Sequence, residues 1–144
     1  MRPIDMLLVH CSATGPSADI GVAEIREWHK ARGWSDIGYH YVIRRNGTPE
    51  TGRPEATVGA HAAGFNERSI GICLIGGVDA DNKSKAEFNY SRRQMAALEL
   101  MLTDLTRRYP KAKVIGHRDL PHVSKACPCF NVQDWWYERE ELVA

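Results

Sequence analysis

The sequence predicts an α/β or α+β fold: one domain with a central mixed β-sheet flanked by helices. Its 144 residues are about one domain in length, and no repeat or linker divides them. Short apolar runs typical of buried strands alternate with segments of helical periodicity. One pair of strand-like runs is joined through Asn46-Gly47, a dipeptide typical of tight hairpins, so at least one strand should run antiparallel to its neighbour.

The first two elements are a strand and a helix. The apolar run in DMLLVHCSA predicts a buried strand with His10 near its end. The segment VAEIREWHKAR has helical spacing; Asp19 or Gly21 could start this helix, and Gly33 is a natural stop. Its predicted inner face carries Val22, Ile25 and Trp28.

A hairpin and a second buried strand come next. The segment GYHYVIRRNGTPETGR predicts a hairpin with a type I′ turn at Asn46-Gly47, because both residues tolerate a positive φ. Tyr39 opens its first strand, and alternation places His40 on the opposite face. The run SIGICLIG predicts a strand buried on both faces.

The C-terminal half predicts helix, strand and helix. Ser91 and Gln94 have capping-box spacing ahead of an amphipathic helix that ends near Tyr109. The segment AKVIGH reads as a short strand ending at His117. Asn131 can cap a final helix that carries the two adjacent tryptophans. Helices and strands therefore alternate through the chain, as a layered fold requires.

Charge and apolar content exclude several classes of partner. The formal net charge is only +1, so neither nucleic acid nor an anionic membrane is expected as the main partner. The N-terminal run MLLV is too short for a signal peptide or a membrane span, so we expect synthesis in the cytoplasm and no membrane insertion. The four cysteines show no secretory framework. We expect a monomer without disulfides.

The segment GHRDLPHVSKACPCF concentrates candidate metal ligands: His117, His122, Cys127 and Cys129. His10 also ends a predicted strand, and side chains at strand ends make a rigid platform. A catalytic zinc ion needs three protein ligands and an open fourth position, a count that His10, His117 and one cysteine would satisfy. The spacing alone fits equally well with loop histidines and cysteines that only fill space.

Two further polar residues could serve a hydrolytic metal site. The ammonium group of Lys125 could stabilise an oxyanion formed when water attacks a carbonyl, although most lysines are simply solvated. The hydroxyl of Tyr39 could orient water or substrate; a half-buried strand aromatic is the more common role for a tyrosine there.

Several segments in one order, from His10 to Trp136, resemble a known family. LLVHCSAT, REWHKARGWSDIGYHYVIRRNGT, VGAHAAGFNERSIGICLIGG and KACP look like the corresponding segments of the zinc-dependent N-acetylmuramoyl-L-alanine amidases. Peptidoglycan recognition proteins are more distant relatives. The resemblance implies a central mixed sheet with one zinc ion in a groove, and a single zinc amidase domain over residues 1–144.

The resemblance also implies roles for individual residues. The family's three zinc ligands fall on His10, His117 and Cys127, and its catalytic tyrosine and lysine fall on Tyr39 and Lys125. Two other histidines and one other cysteine have weaker assignments. His61 matches a histidine at the groove edge, which implies either substrate contact or a supporting position. Cys129 and His122 fall outside the motif, but the loop carrying His122 is slightly longer than in relatives and could bring it near the metal.

The reaction that the resemblance implies is hydrolysis of the amide between N-acetylmuramic acid and the first L-alanine of the stem peptide. A phage endolysin released through a holin fits the absence of a signal segment, and a wall-recycling enzyme fits it too. The alternatives are a module that only binds peptidoglycan, as some recognition proteins do, or an inhibitor of a phage RNA polymerase, as a short phage member of the family is.

Overall fold

The structure is a computed structural model that describes residues 2–143, with side-chain burial over 2–139. Within the described residues the strands form a five-stranded sheet in the order β3-β2-β4-β1-β5. They are β1 (Met6–Cys11), β2 (Tyr41–Ile43), β3 (Pro49–Thr51), β4 (Ser69–Leu74) and β5 (Lys113–Gly116). The helices are α1 (Val22–Ala31), α2 (Arg92–Arg108) and α3 (Val132–Val143).

The sheet is mixed, as predicted. β1 pairs in parallel with β4 and with β5, and β2 pairs in parallel with β4. Only the hairpin pair β2 and β3 is antiparallel. The carboxyl ends of β1 and β5 therefore meet at the same edge of the sheet, and this brings the residues that follow them into one place.

Strand β1 lies between β4 and β5 and contributes side chains to both faces of the sheet. Leu7 and Val9 pack against the core formed with α2 and α3. Leu8 points to the other face, where it packs with Ala62 and Leu120. Because side chains alternate along a strand, His10 lies on the same face as Leu8, away from α2. That second face is only partly covered by α1, and the uncovered part is an open cleft.

The start and end of α1 agree with the prediction, and of the three residues predicted to face inward only Trp28 does not. Gly21 is the N-cap, and the chain turns away at Gly33 with φ of +92°. The buried residues are Val22, Ile25 and His29, whereas Trp28 is 45% exposed. At 3.6 residues per turn, position 29 falls about 20° from position 22 and position 28 about 120° away. The helix therefore turns His29 inward and Trp28 toward the cleft.

The hairpin is confirmed, but its predicted turn type is wrong. Only Gly47 has a positive φ, +88°, and Asn46 does not. The Gly47 N–H donates to the Arg44 carbonyl over 2.8 Å, and Thr48 accepts a bond from the Arg44 N–H over 3.0 Å. This pattern is a type I turn followed by one left-handed glycine, in which a single residue carries the positive φ.

The C-terminal elements follow their sequence signals. Ser91 Oγ accepts from the Gln94 N–H over 3.1 Å, and Gln94 Oε1 accepts from the Ser91 N–H over 2.9 Å, which completes the capping box. Asn131 Oδ1 accepts from the Asp134 N–H over 3.0 Å at the start of α3. Among residues 2–143, no helix combines the length and apolar character needed to span a bilayer.

Candidate metal centre and its cleft

An open cleft of about 610 Å³ lies on the sheet face that carries His10. One side is formed by α1 and the segment after it, and the other by the loop between β5 and α3. The cleft is lined by the six residues to which the family resemblance assigns metal binding, catalysis or a place at the groove: His10, Tyr39, His61, His117, Lys125 and Cys127.

Three candidate ligands converge at the floor of this cleft. One donor atom from each of His10, His117 and Cys127 lies within 4.8 Å of the other two. His10 is near the end of β1, and His117 directly follows β5. The parallel pairing of those strands places the two rings side by side, with centroids 4.4 Å apart. Cys127 comes from the loop before α3.

The chemistry of this donor set fits a zinc ion. Two imidazole nitrogens and one thiolate sulfur are ligands that zinc prefers, and three protein ligands leave a fourth position open. The Cys127 sulfur is held in place by the Cys11 N–H, which donates to Sγ over 3.0 Å. The Cys127 carbonyl accepts from the Arg118 N–H over 2.8 Å. The loop is therefore tied to β1, which carries His10, and to the turn after β5, which carries His117.

The electrostatics of the cleft keep the two histidines neutral. Burial, with His61 and His117 nearby, lowers the pKa of His10 well below 6.5. Burial and the charge of Lys125 lower the pKa of His117. A neutral imidazole has the free lone pair that a metal needs. A hydrogen bond with the Cys11 thiol and burial raise the pKa of the Cys127 thiol, so its thiolate form requires a positive charge beside it.

Tyr39 lines the cleft. The prediction that it opens a strand is wrong, because β2 begins two residues later at Tyr41. The Tyr39 carbonyl accepts from the Arg53 N–H over 3.0 Å, so the strand-like pairing extends past the regular ladder. Its ring centroid is 5.1 Å from that of His10. Burial raises the pKa of Tyr39 well above 10, and the hydroxyl stays protonated.

His40 lies on the other side of the backbone from Tyr39, in agreement with the alternation argument. It is fully buried, and its Nδ1 accepts from the Gly71 N–H over 3.1 Å. His29 is also buried, and its Nδ1 accepts from the Gly38 N–H over 2.8 Å. Both histidines therefore hold backbone in place and have a structural role.

Lys125 and His61 occupy different depths of the cleft. Lys125 is exposed and lies close enough to His117 to shift its pKa. His61 is half-buried, and its Nδ1 is 2.9 Å from the Nε2 of His10. Burial, followed by the charges of His40, His117 and two arginines, lowers the pKa of His61 to about 3, so this ring is neutral.

His122 and Cys129 lie outside the candidate metal cluster. His122 is exposed on the loop and does not line the cleft, so the longer loop does not bring it to the metal position. Cys129 Sγ donates to the Gly77 carbonyl over 3.0 Å, behind the ligands. In the described part of the chain, His10, His117 and Cys127 are the one group of three such ligands that converge.

The sequence analysis missed several residues around the cleft. Trp28 and Trp34 are both partly exposed on its wall, and Arg32 lies between them in sequence. It also missed Ser69, which stands behind His61 with its Oγ 3.3 Å from the His61 Nε2. One signal was available for this contact. Gly71 interrupts a buried strand, and a glycine there often marks a close approach.

Comparison with known proteins places these observations in a family. The family model described as N-acetylmuramoyl-L-alanine amidase matches residues 1–130. The endolysin of Escherichia phage T7 is 48% identical over 139 residues, which cover 96% of this chain and 89% of that protein. The solved structure of the N-acetylmuramoyl-L-alanine amidase LysC from Clostridium intestinale URNW is 31% identical, with a TM-score of 0.78 over 99% of this chain and 87% of that one. Wild-type Drosophila PGRP-LB is 25% identical, with a TM-score of 0.74 over 96% and 80% of the two chains.

Proposed function

The chain belongs to the N-acetylmuramoyl-L-alanine amidase family and is a peptidoglycan-hydrolysing amidase, and we propose that His10, His117 and Cys127 hold one zinc ion for this reaction. The observation that carries the proposal is the convergence of their donor atoms within 4.8 Å on the floor of an open cleft. When bound, zinc supplies a Lewis acid that lowers the pKa of water and polarises a carbonyl oxygen. Two neutral histidines and one thiolate would leave this site with a net charge of about +1.

The bond to be cut is the amide between N-acetylmuramic acid and the first L-alanine. Hydrolysis adds the oxygen of water to the carbonyl carbon, and negative charge develops on the former carbonyl oxygen. Lys125, exposed at the cleft beside His117, is the cation positioned to stabilise that charge. Loss of one such stabilising group typically costs about 2.7 to 4 kcal/mol, a hundredfold or more in rate.

Tyr39 has a different role in the proposal. Its hydroxyl stays protonated, and its ring stands beside that of His10. From this position the hydroxyl donates a hydrogen bond that orients the attacking water or the substrate. The arrangement requires no further acid from β4, whose residues are all buried and uncharged.

The biological role that we propose is lysis of a bacterial host from within. The 48% identity to the endolysin of phage T7 over most of both chains supports it. Release to the wall through a holin is part of this proposal, and cytoplasmic wall recycling is the alternative. Activity in fractions outside the membrane before a pore opens would contradict release by a holin. Inhibition of a phage RNA polymerase is an alternative that we do not propose for this chain, and direct binding to the polymerase would test it.

The test of the reaction is mass spectrometry of muropeptides after digestion of purified peptidoglycan. The proposal predicts free stem peptides that begin with L-alanine and glycan strands with free lactyl groups. Treatment with a zinc chelator should abolish their release, and added zinc should restore it. Full release of these products after complete zinc removal would overturn the metal site, and cleavage at any other bond would overturn the assigned substrate bond.

A further inference from the structure

We infer that Ser69 and His61 form a hydrogen-bond relay that fixes the tautomer of His10 and presents its Nδ1 atom to the metal. The inference rests on the proposed zinc site and concerns how one ligand is prepared for it. Of the two roles that the sequence left open for His61, it assigns the supporting position and not substrate contact.

The direction of the relay is set at Ser69. Its Oγ lies 2.8 Å from the Phe65 carbonyl oxygen, which can only accept, so the serine hydroxyl donates to Phe65. A hydroxyl has one proton, and that proton is now committed. Ser69 Oγ also lies 3.3 Å from His61 Nε2, and in this contact it can only accept. His61 Nε2 must therefore carry the hydrogen.

The next step passes from His61 to His10. A neutral imidazole has one N–H, so a hydrogen on Nε2 leaves Nδ1 of His61 as an acceptor. That Nδ1 is 2.9 Å from His10 Nε2, which must then be the donor. With its hydrogen on Nε2, His10 keeps a free lone pair on Nδ1. Because Nε2 is engaged with His61, Nδ1 is the one ring nitrogen of His10 that remains free to bind a metal.

The surroundings of His61 hold its ring in one orientation. A Cβ added to Gly71 would come within 2.6 Å of the His61 ring, and one added to Gly59 within 2.8 Å. The His61 backbone N–H donates to Asn66 Oδ1 over 2.9 Å. The two glycines leave only enough space for the ring, and Asn66 fixes the backbone below it. Both ring nitrogens are engaged, so the His61 side chain has no nitrogen left for a substrate.

A relay of this kind should be measurable in metal affinity. Partners that orient a metal-binding histidine typically contribute 10- to 100-fold in metal affinity or activity. His61→Ala should therefore weaken zinc binding 10- to 100-fold, although all three ligands remain. His61→Asn should recover much of the affinity, because its amide oxygen can accept from His10 Nε2. Ser69→Ala should weaken binding less than His61→Ala, because it removes only the outer acceptor.

The experiment is a competitive titration of zinc against a chromogenic chelator, on folded wild-type and variant proteins. His122→Ala is the matched control, because it removes an exposed histidine that lies outside the cleft. The zinc affinity of this variant should match that of wild type. Nitrogen-15 NMR of the zinc-loaded wild type should show His10 with a protonated Nε2 and a metal-bound Nδ1.

Each outcome separates the relay from the proposed function. Wild-type protein without zinc affinity would overturn the metal site, and the relay with it. Two results would overturn the relay alone. One is a zinc affinity in His61→Ala equal to that of wild type, and the other is a metal bound to Nε2 of His10. If His61→Ala does not fold, the NMR assignment on wild-type protein still decides, because it requires no substitution.

Discussion

The backbone N–H of Cys11 donates to the Sγ atom of Cys127 over 3.0 Å, although 116 positions separate the two residues in the chain. Cys11 directly follows His10, so this bond joins the loop ligand to the strand that carries the first histidine. A backbone N–H that points at a sulfur favours its anionic form and restricts its position. The sulfur of Cys127 is therefore held near both histidines, where a bound cation would complete the change to the thiolate form.

Replacing the sulfur should separate metal binding from folding. Cys127→Ser should lower zinc affinity by at least about tenfold and remove most wall-clearing activity, because a hydroxyl is a far poorer zinc ligand than a thiolate. Cys129→Ser is the control, since its sulfur bonds the Gly77 carbonyl outside the cluster. Zinc content by mass spectrometry and turbidity of a wall suspension are the measurements. Equal zinc loss in both variants would contradict the ligand assignment.

Removal of the cation at the cleft should affect turnover and leave the metal in place. Lys125→Ala should lower kcat about a hundredfold or more, because the developing negative charge loses a stabilising partner. Zinc affinity and thermal stability should stay close to wild type, since Lys125 is exposed. Lys85→Ala removes an exposed lysine elsewhere and serves as the control. Steady-state assays on soluble muropeptides measure the effect, and an unchanged kcat would remove Lys125 from the mechanism.

The hydroxyl of Tyr39 can be deleted without disturbing its ring. Tyr39→Phe should lower kcat about a hundredfold, within the usual range for a positioned proton donor, while the packing against His10 is kept. The measurement is kcat and KM together with zinc affinity. A loss of zinc affinity equal to the loss of activity would instead assign Tyr39 to support of the metal site.

A half-buried carboxylate outside the cleft, that of Glu55, should control acid stability. Burial opposes ionisation of Glu55, but hydrogen bonds from Arg108, Tyr109 and Tyr41 outweigh it and lower the pKa of Glu55 to about 2. Arg108 donates to both carboxylate oxygens, over 2.7 and 2.9 Å. The folded-state pKa lies below the ordinary value of 4.5. The stabilisation is therefore complete above about pH 4.5 and is lost as the pH falls toward 2.

The matching substitution is Glu55→Gln, which should lower the free energy of unfolding by on the order of 2 kcal/mol at pH 7, after allowance for the partly exposed Arg108. The difference in free energy of unfolding between Glu55→Gln and wild type should shrink as the pH falls below about 4.5. Urea denaturation at pH values about one unit apart, from about 2.5 to about 7, measures this difference. Glu67→Gln, at an exposed site, is the control; a difference independent of pH would refute the assignment.

Two leucines on one helix give a test of the core. Leu98 is 0% exposed and packs against the sheet, whereas Leu100 is 73% exposed. Leu98→Ala should lower the free energy of unfolding by about 2 to 5 kcal/mol, because it removes buried methyl groups and leaves a cavity. Leu100→Ala should change it by about 0.5 kcal/mol or less. Comparable losses from both changes would mean that α2 packs through a different face.

Local patterns were sufficient for much of the fold. The apolar run before His10 predicted β1, and the spacing of Ser91 and Gln94 predicted the cap of α2, because strand burial and helix capping depend on residues close in sequence. The same patterns failed for the orientation of Trp28 and for the turn at Asn46. Which face of a helix is buried depends on the elements that pack against it. The type of a hairpin turn depends on how many residues the two strands leave unpaired.

The sequence by itself determined which side chains are candidates for the chemistry: histidines at or next to the ends of two strands, and one cysteine in a motif that resembles a family's third ligand. Only the tertiary structure decided that these side chains meet, because the parallel register of β1 with β5 and the bond from Cys11 to Cys127 join distant segments. It likewise decided the position of His61, whose partners are His10 and Ser69. The hydrogen bonds of a ring nitrogen depend on distances in space, which the order of residues along a chain does not record.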